Sequence, residues 1–480
     1  MGVKELKNNL FIKSQKLLKE IEQQNDIFIF SNNTVDGIIS GSLILKSIFN
    51  NKGNAALRCS NEKIESTLDE IIKEKHDFYV FTDFGSQVID IIDKALNEGN
   101  YLFINIDEVT KSNSNTYDNI INPWLYNING KEEISSAGLS YLITKNFDRS
   151  SNDMLFLPII SAISKDQDVG ENRALISLNN EILQDSLKLN IIEQKKRLTF
   201  SDIETMEIAN VLENNITHYI KEITWNKESS LKVIEDSQIS TKSTTGDAKA
   251  FNEMDESESI RLLKSIERFL QEHSKLNDSK IVKELLFGYS YILINEESEG
   301  FLKNTRSFAK VLDCCLNAQR TGLALSLCLG DRGKILKDAH DLVLKYNELI
   351  KKLSSQLFRE KWRFHDNKET IFINGEGVLD TQNVSSFISF LEKSVSFADR
   401  LICLRVPYTE EIYKFIILRT TFCDFDLMGI TEKIRNTLNK DEDVKVIDKN
   451  KIEIDVPVSG LEDFLSNIKK IIINGKIPQS

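Results

Sequence analysis

Four aspartates stand just past the ends of apolar segments: Asp36 in Thr34-Val35-Asp36-Gly37, Asp83 in Thr82-Asp83-Phe84-Gly85, Asp107 in Asn105-Ile106-Asp107-Glu108, and Asp166 in Ser164-Lys165-Asp166-Gln167. Carboxylates converging from strand ends on one crevice are what a divalent-metal phosphoesterase requires. Two ions about 3.5 to 4 Å apart neutralise phosphate and convert bound water to hydroxide. Without metal, four such groups repel one another and some retain their protons. The plainer alternative is capping, with Asp36 and Asp83 at the starts of the helices that follow their strands, where a carboxylate suits the helix dipole.

Positioning these groups takes a repeated strand-loop-helix unit. Residues 27–30 are wholly apolar and read as a buried parallel strand; Ser31, Asn32, Asn33 and Thr34 supply turn and cap chemistry before an apolar helix over 37–49. The alternation recurs, with strands expected at 55–59, 78–82 and 101–106 and helices at 64–73 and 88–96. This predicts right-handed βαβ units and a covered parallel sheet. An entry helix over 3–24 and helices over 135–144 and 155–163 complete an α/β domain spanning 1–190.

Helical periodicity then dominates 191–300, read as an insert interrupted by a polar linker or long surface loop at 237–257 rich in Ser, Thr, Asp and Glu. A connecting region, 301–364, ends in a long bridging helix from 334, which would span about 45 Å at 1.5 Å per residue. Strands and helices alternate again over 365–480, giving a second, smaller α/β domain.

Composition narrows the function classes. The 480 residues carry 61 Lys and Arg against 73 Asp and Glu, a net charge of -12, which argues against a generic nucleic-acid coat. Six cysteines without C-x-x-C spacing read as reduced thiols of a cytoplasmic protein, and no apolar run reaches the roughly 20 residues of a membrane span. Five scattered histidines offer no His-rich metal site. Arg306 and Arg320, and at strand ends Arg405 and Arg419, are the candidates for gripping nucleic-acid phosphate, with ion pairing as the alternative for each.

The order of the aspartate motifs resembles the DHH phosphoesterase superfamily, in particular archaeal RecJ-like exonucleases and the RecJ-derived subunit of the CMG replicative helicase. Members carry His-x-Asp-x-Asp-Gly after the first strand, then Asp-x-Gly, then Asp-His-His, then a fourth aspartate. Here the series is Asn32-x-Thr34-x-Asp36-Gly37, Asp83-Phe84-Gly85, Asp107-Glu108-Val109 and Asp166. Further segments are similar to archaeal members: Ile121 to Pro123, Ser135 to Tyr141, and Arg306 to Gly322 followed by Leu-Cys-Leu-Gly-Asp. The resemblance implies an N-terminal parallel-sheet DHH-type domain and a C-terminal α/β DHH-associated-type domain.

The departures fall on the chemistry. Asn32 and Thr34 replace a histidine and an aspartate, Glu108 and Val109 replace both histidines of the third motif, and the expected Gly-Gly-Gly-His substrate loop is missing. About five carboxylates would have to serve two ions that each want about six ligands. The resemblance therefore implies a degenerate nuclease, with no cofactor or only weakly bound Mn²⁺ or Mg²⁺ at Asp36, Asp83, Asp107 and Asp166. On the same resemblance it would be a replication scaffold whose partners are the GINS complex and the MCM helicase, with single-stranded DNA a candidate ligand. The alternative is an active, metal-dependent, single-strand-specific exonuclease or phosphoesterase.

Overall fold

Asp26–Asn32 forms β1, whose interior residues are buried on both faces, as an inner strand of a parallel sheet demands. The structure, a computed structural model, describes residues 2–60, 64–96, 100–109, 117–201, 204–273, 278–296, 301–367, 369–438 and 444–473.

In chain order the first region comprises α1 (Gly2–Glu22), β1, α2 (Val35–Asn50), β2 (Asn54–Ser60), α3 (Ile64–Lys73), β3 (Phe78–Thr82), α4 (Ile89–Ala95), β4 (Tyr101–Ile104), β5 (Ile120–Ile121), α5 (Ser136–Thr144), α6 (Phe156–Ser164), α7 (Ser177–Lys188) and β6 (Ile192–Leu198). The middle holds α8 (Ile208–Asn214), α9 (Lys227–Asp236), α10 (Glu256–His273), α11 (Ser279–Leu286), β7 (Phe287–Leu293), α12 (Thr305–Asn317), α13 (Thr321–Cys328) and α14 (Lys334–Arg359). The last region holds β8 (Phe364–Asp366), β9 (Thr370–Asn374), α15 (Val384–Glu392), β10 (Leu401–Pro407), β11 (Ile412–Arg419), α16 (Leu427–Leu438), β12 (Val444–Asp448), β13 (Lys451–Pro457) and α17 (Leu461–Ile473).

The chain divides into two compact units, one of residues 1–205 and 287–343, the other of 206–286 and 344–480. In the first, five parallel strands run in the order β2-β1-β3-β4-β5. Register pairs Ser31 with Thr82 and Thr82 with Ile104, so the carboxyl ends of β1, β3 and β4 lie level. Phe28, Phe30, Tyr79, Phe81, Tyr101 and Phe103 fill one core of this sheet, and α2 is buried almost throughout. The strands expected at 27–30, 55–59 and 78–82 are all present; that expected at 101–106 ends at Ile104.

Two expectations are corrected. Residues 191–300 are not a wholly helical insert, because β6 and β7 pair as an antiparallel ribbon in the first unit, while 206–286 packs with the C-terminal residues. The linker reading of 237–257 is corrected too, in favour of a largely exposed surface loop. Phe251 and Met254 are buried within it, a bridge joins Lys242 to Ala248, and Asp255 accepts the Glu258 N–H at 2.8 Å ahead of α10.

In the second unit a six-stranded sheet runs β12-β13-β11-β10-β9-β8. Along β10 the side chains alternate: Ile402, Leu404 and Val406 join a core with Tyr219, Ile350, Leu353, Leu357 and Phe387, while Leu401 and Cys403 join Ile430, Phe464 and Ile468. Tyr219 thereby ties the inserted segment to the C-terminal sheet. The long helix, α14, has 26 residues, about 39 Å at 1.5 Å per residue, and stops short of 364 because Phe364–Asp366 pairs with β9.

The β1-to-α2 turn is tight. A Cβ on Gly37 would lie 2.2 Å from the Asn32 carbonyl oxygen, so Gly37→Ala forces backbone to move. We expect a loss of about 1–3 kcal/mol in unfolding free energy, the usual range for overpacking, read as a lowered urea midpoint.

Candidate functional site

At the level strand ends, two carboxylates meet. Asp36 lies in the first turn of α2 and is fully buried. Thr34, not Asp36, caps α2, accepting the Gly37 N–H at 2.9 Å. Asp36 instead caps α5: its oxygens accept the N–H groups of Ser136 at 3.0 Å and Ala137 at 2.7 Å, and the Ser161 hydroxyl of α6 at 2.6 Å. Small residues in Ser135-Ser136-Ala137-Gly138 let the positive end of α5 approach, with Ser135 as its N-cap. Burial, and then the neighbouring Asp83, push the Asp36 carboxyl up to about 6.

Asp83 follows β3 in the left-handed region, at φ 60°, a conformation aspartate tolerates better than most residues. Its carboxylate accepts the Thr34 hydroxyl, the Ser136 hydroxyl at 3.1 Å and the Lys165 ammonium at 3.5 Å, and its backbone carbonyl accepts the Asn32 amide at 3.0 Å. The Lys165 Nζ also stands 4.0 Å from Asp36. Burial works against the Lys165 charge, but Asp83, Asp36 and Asp107 outweigh it and hold its pKa above the ordinary lysine value.

Asp107 is exposed beyond β4, its carboxyl raised by partial burial and by Asp83 and lowered by Lys165 and Lys131, so it shares the field of the cluster. Asp166 takes another course. It stops α6 in the left-handed region at φ 53°, exposed, with the Gln167 N–H reaching back to the Ala162 carbonyl, and its charge acts on Arg173 and Arg306. The structure thus brings Asp36, Asp83 and Asp107 together, and α6 sends them the Ser161 hydroxyl and, from its C-cap, the Lys165 ammonium.

The donor set fits hydrogen-bond donors better than a pair of divalent ions. Asp36 and Asp83 each accept three protein donors, Glu108 is exposed, and Val109 has no donor atom. Among the described residues, no group of three or more His, Cys, Asp or Glu is arranged to hold a metal ion.

The arginines fall in different settings. Arg306 is buried against Asp168, which also takes Arg173 Nε at 2.7 Å, so the expected phosphate grip at 306 meets a guanidinium already committed inside the protein. Arg405 pairs with Glu376 at 2.8 Å and stacks 3.9 Å from the Tyr413 ring centre; Arg419 donates to the Cys423 carbonyl at 3.0 Å. Arg320 is exposed at the start of α13. From the sequence, Ser161, Lys165 and Asp168 receive no site roles, and Ser136 is marked only as a candidate helix cap. The four-residue interval from Ser161 to Lys165, which puts both on one helix face, was the available signal.

No protein-family model matches the chain. It is 22% identical over 293 residues to an uncharacterized protein of Methanocaldococcus jannaschii, a match covering 57% of the chain and 63%, under two thirds, of that relative. Among solved structures it is similar to CDC45 from Entamoeba histolytica, with a TM-score of 0.63 at 12% identity over 97% of the chain and 99% of that structure. It is also similar to an exonuclease RecJ bound to manganese, at 0.54 and 11% over 97% and 94%. RecJ of Thermus thermophilus with Mn²⁺ gives 0.54 and 11%, covering 98% of the chain and 55% of that protein. No helix among the described residues is long and apolar enough to cross a membrane.

Asp168 sets a pH dependence. Burial would raise its carboxyl, yet Arg306 and Arg173 pull it down to about 2, against an ordinary 3.8. A depressed carboxyl stabilises the fold fully above its unfolded value, and this contribution is lost as pH falls from about 4 through about 2. Asp168→Asn removes the negative charge that faces buried Arg306 and part-buried Arg173; we expect a loss of about 3–5 kcal/mol at pH 7 and a flatter stability profile between pH 4 and pH 2, by urea unfolding.

Proposed function

We propose that this chain, which has the DHH-type, RecJ-like and Cdc45-like fold, is a catalytically degenerate relative of the RecJ nucleases that serves as a replication scaffold, binding the GINS complex and the MCM helicase. One observation carries the reading: Asn32 and Thr34, standing where the resemblance expects a histidine and an aspartate, both donate hydrogen bonds to Asp83. A metal ligand presents a lone pair to the cation. Here Asn32 directs its amide at the Asp83 backbone carbonyl and Thr34 its hydroxyl at the Asp83 carboxylate, which Ser136 and Lys165 also satisfy.

Without a metal pair, polarisation of a phosphodiester and generation of hydroxide have no source among these residues. What stays is an α/β scaffold in a chain of net charge -12, suited to partners with basic faces. Single-stranded DNA is a further candidate ligand, with exposed Arg320 its first contact to test.

The alternative, a metal-dependent single-strand-specific exonuclease, draws support from Asp107, which is exposed and within electrostatic reach of Asp83. One sample separates the two. The full chain mixed with purified GINS and MCM should form a complex that survives size-exclusion chromatography, and in millimolar Mn²⁺ should leave an end-labelled single-stranded oligonucleotide intact. Mn²⁺-dependent shortening of the oligonucleotide, abolished by Asp83→Ala, would establish the nuclease instead; failure to bind either partner would remove the scaffold role.

A further inference from the structure

We propose that Lys165 is a tethered counter-cation, its ammonium standing between Asp36 and Asp83 in place of a diffusible divalent ion and keeping such ions out of the strand-end crevice. Its Nζ lies 3.5 Å from Asp83 and 4.0 Å from Asp36; its side chain is 33% exposed while both carboxylates are buried, so the charged head is turned inward to the two acids. The backbone aims it. Lys165 is the C-cap of α6, and Asp166 turns the chain sharply away in the left-handed region, leaving Lys165 as the last side chain on the face that also carries Ser161. A cation also suits the carboxyl end of a helix.

The three groups that meet there come from separate elements: Asp36 from α2, Asp83 from the end of β3, and Lys165 from α6. Unneutralised, two carboxylates this close to the same ammonium would repel each other, and a bound ion would relieve that. With the ammonium present, an entering divalent ion meets a fixed positive charge at short range and must displace hydrogen-bonded donors. The inference is about this crevice alone and holds whether or not the chain assembles with replication proteins; partner capture and ion binding are read in separate assays.

The test is a titration of the full chain with Mn²⁺, following the loss of the free-ion electron paramagnetic resonance signal, with thermal unfolding on the same samples. Wild type should bind no Mn²⁺ at the crevice. Lys165→Ala should bind one Mn²⁺ per chain at least about 100-fold more tightly than wild type, and its lowered melting midpoint should recover on Mn²⁺ addition. The double variant Asp83→Asn with Lys165→Ala should return to no binding. Wild type that binds Mn²⁺ as well as Lys165→Ala, or a Lys165→Ala that folds and binds none, overturns the proposal. Should Lys165→Ala fail to fold, the double variant decides: a melting midpoint near wild type supports charge balance, and failure to fold overturns it.

Discussion

The buried Asp36 carboxylate is the interaction on which the first unit turns. It lies on α2, behind the strand ends, and receives backbone N–H groups from α5 and a hydroxyl from α6. One side chain therefore fixes three helices against the parallel sheet. An isolated ionised carboxylate could not be left in such a place, since its desolvation cost far exceeds that of a neutral group. It survives there because an α-helix offers unsatisfied N–H groups at its start and Ser135 positions that start.

Asp168 solves the same problem by other means. Both carboxylates are buried, yet burial leaves Asp36 raised and Asp168 depressed. The difference is the charge of the partners: Asp168 faces two guanidinium groups, whereas Asp36 faces mostly neutral donors, one ammonium at 4.0 Å and a second carboxylate. The two make opposite contributions with pH. Stabilisation tied to Asp168 needs pH above its ordinary value, while that tied to a protonated Asp36 is complete below about 4 and disappears as pH rises through about 6.

Local pattern was enough to read the strands of the first sheet, because wholly apolar runs such as 27–30 and 78–82 have one plausible destination. The β6–β7 ribbon escaped for the converse reason. Ile192–Leu198 is charged and scarcely alternates, and Phe287–Leu293 continues without a break from the helical pattern of α11, so only their mutual pairing makes them strands. In the site, the aspartates were visible but their partners were not. Capping was anticipated for Asp36, but at α2; the helix it caps lies 100 residues further on, a choice made by packing alone. Arg306 shows the same limit, since a guanidinium offered to phosphate and one buried against Asp168 look alike in sequence.

The groups around the two aspartates form a chemically coherent set. A metal site built from acceptors is held together by its cation, and removing one acceptor at a time leaves the rest mutually repulsive. Here donors surround the cluster: Thr34 and Ser136 donate to Asp83, Ser161 donates to Asp36, and Lys165 supplies positive charge to both. Each such donor directs a protein hydrogen at the carboxylates and lowers the gain available to an entering ion. The two aspartates therefore have a structural role of their own. They are the acceptors that α5, α6 and the β1-to-α2 turn require.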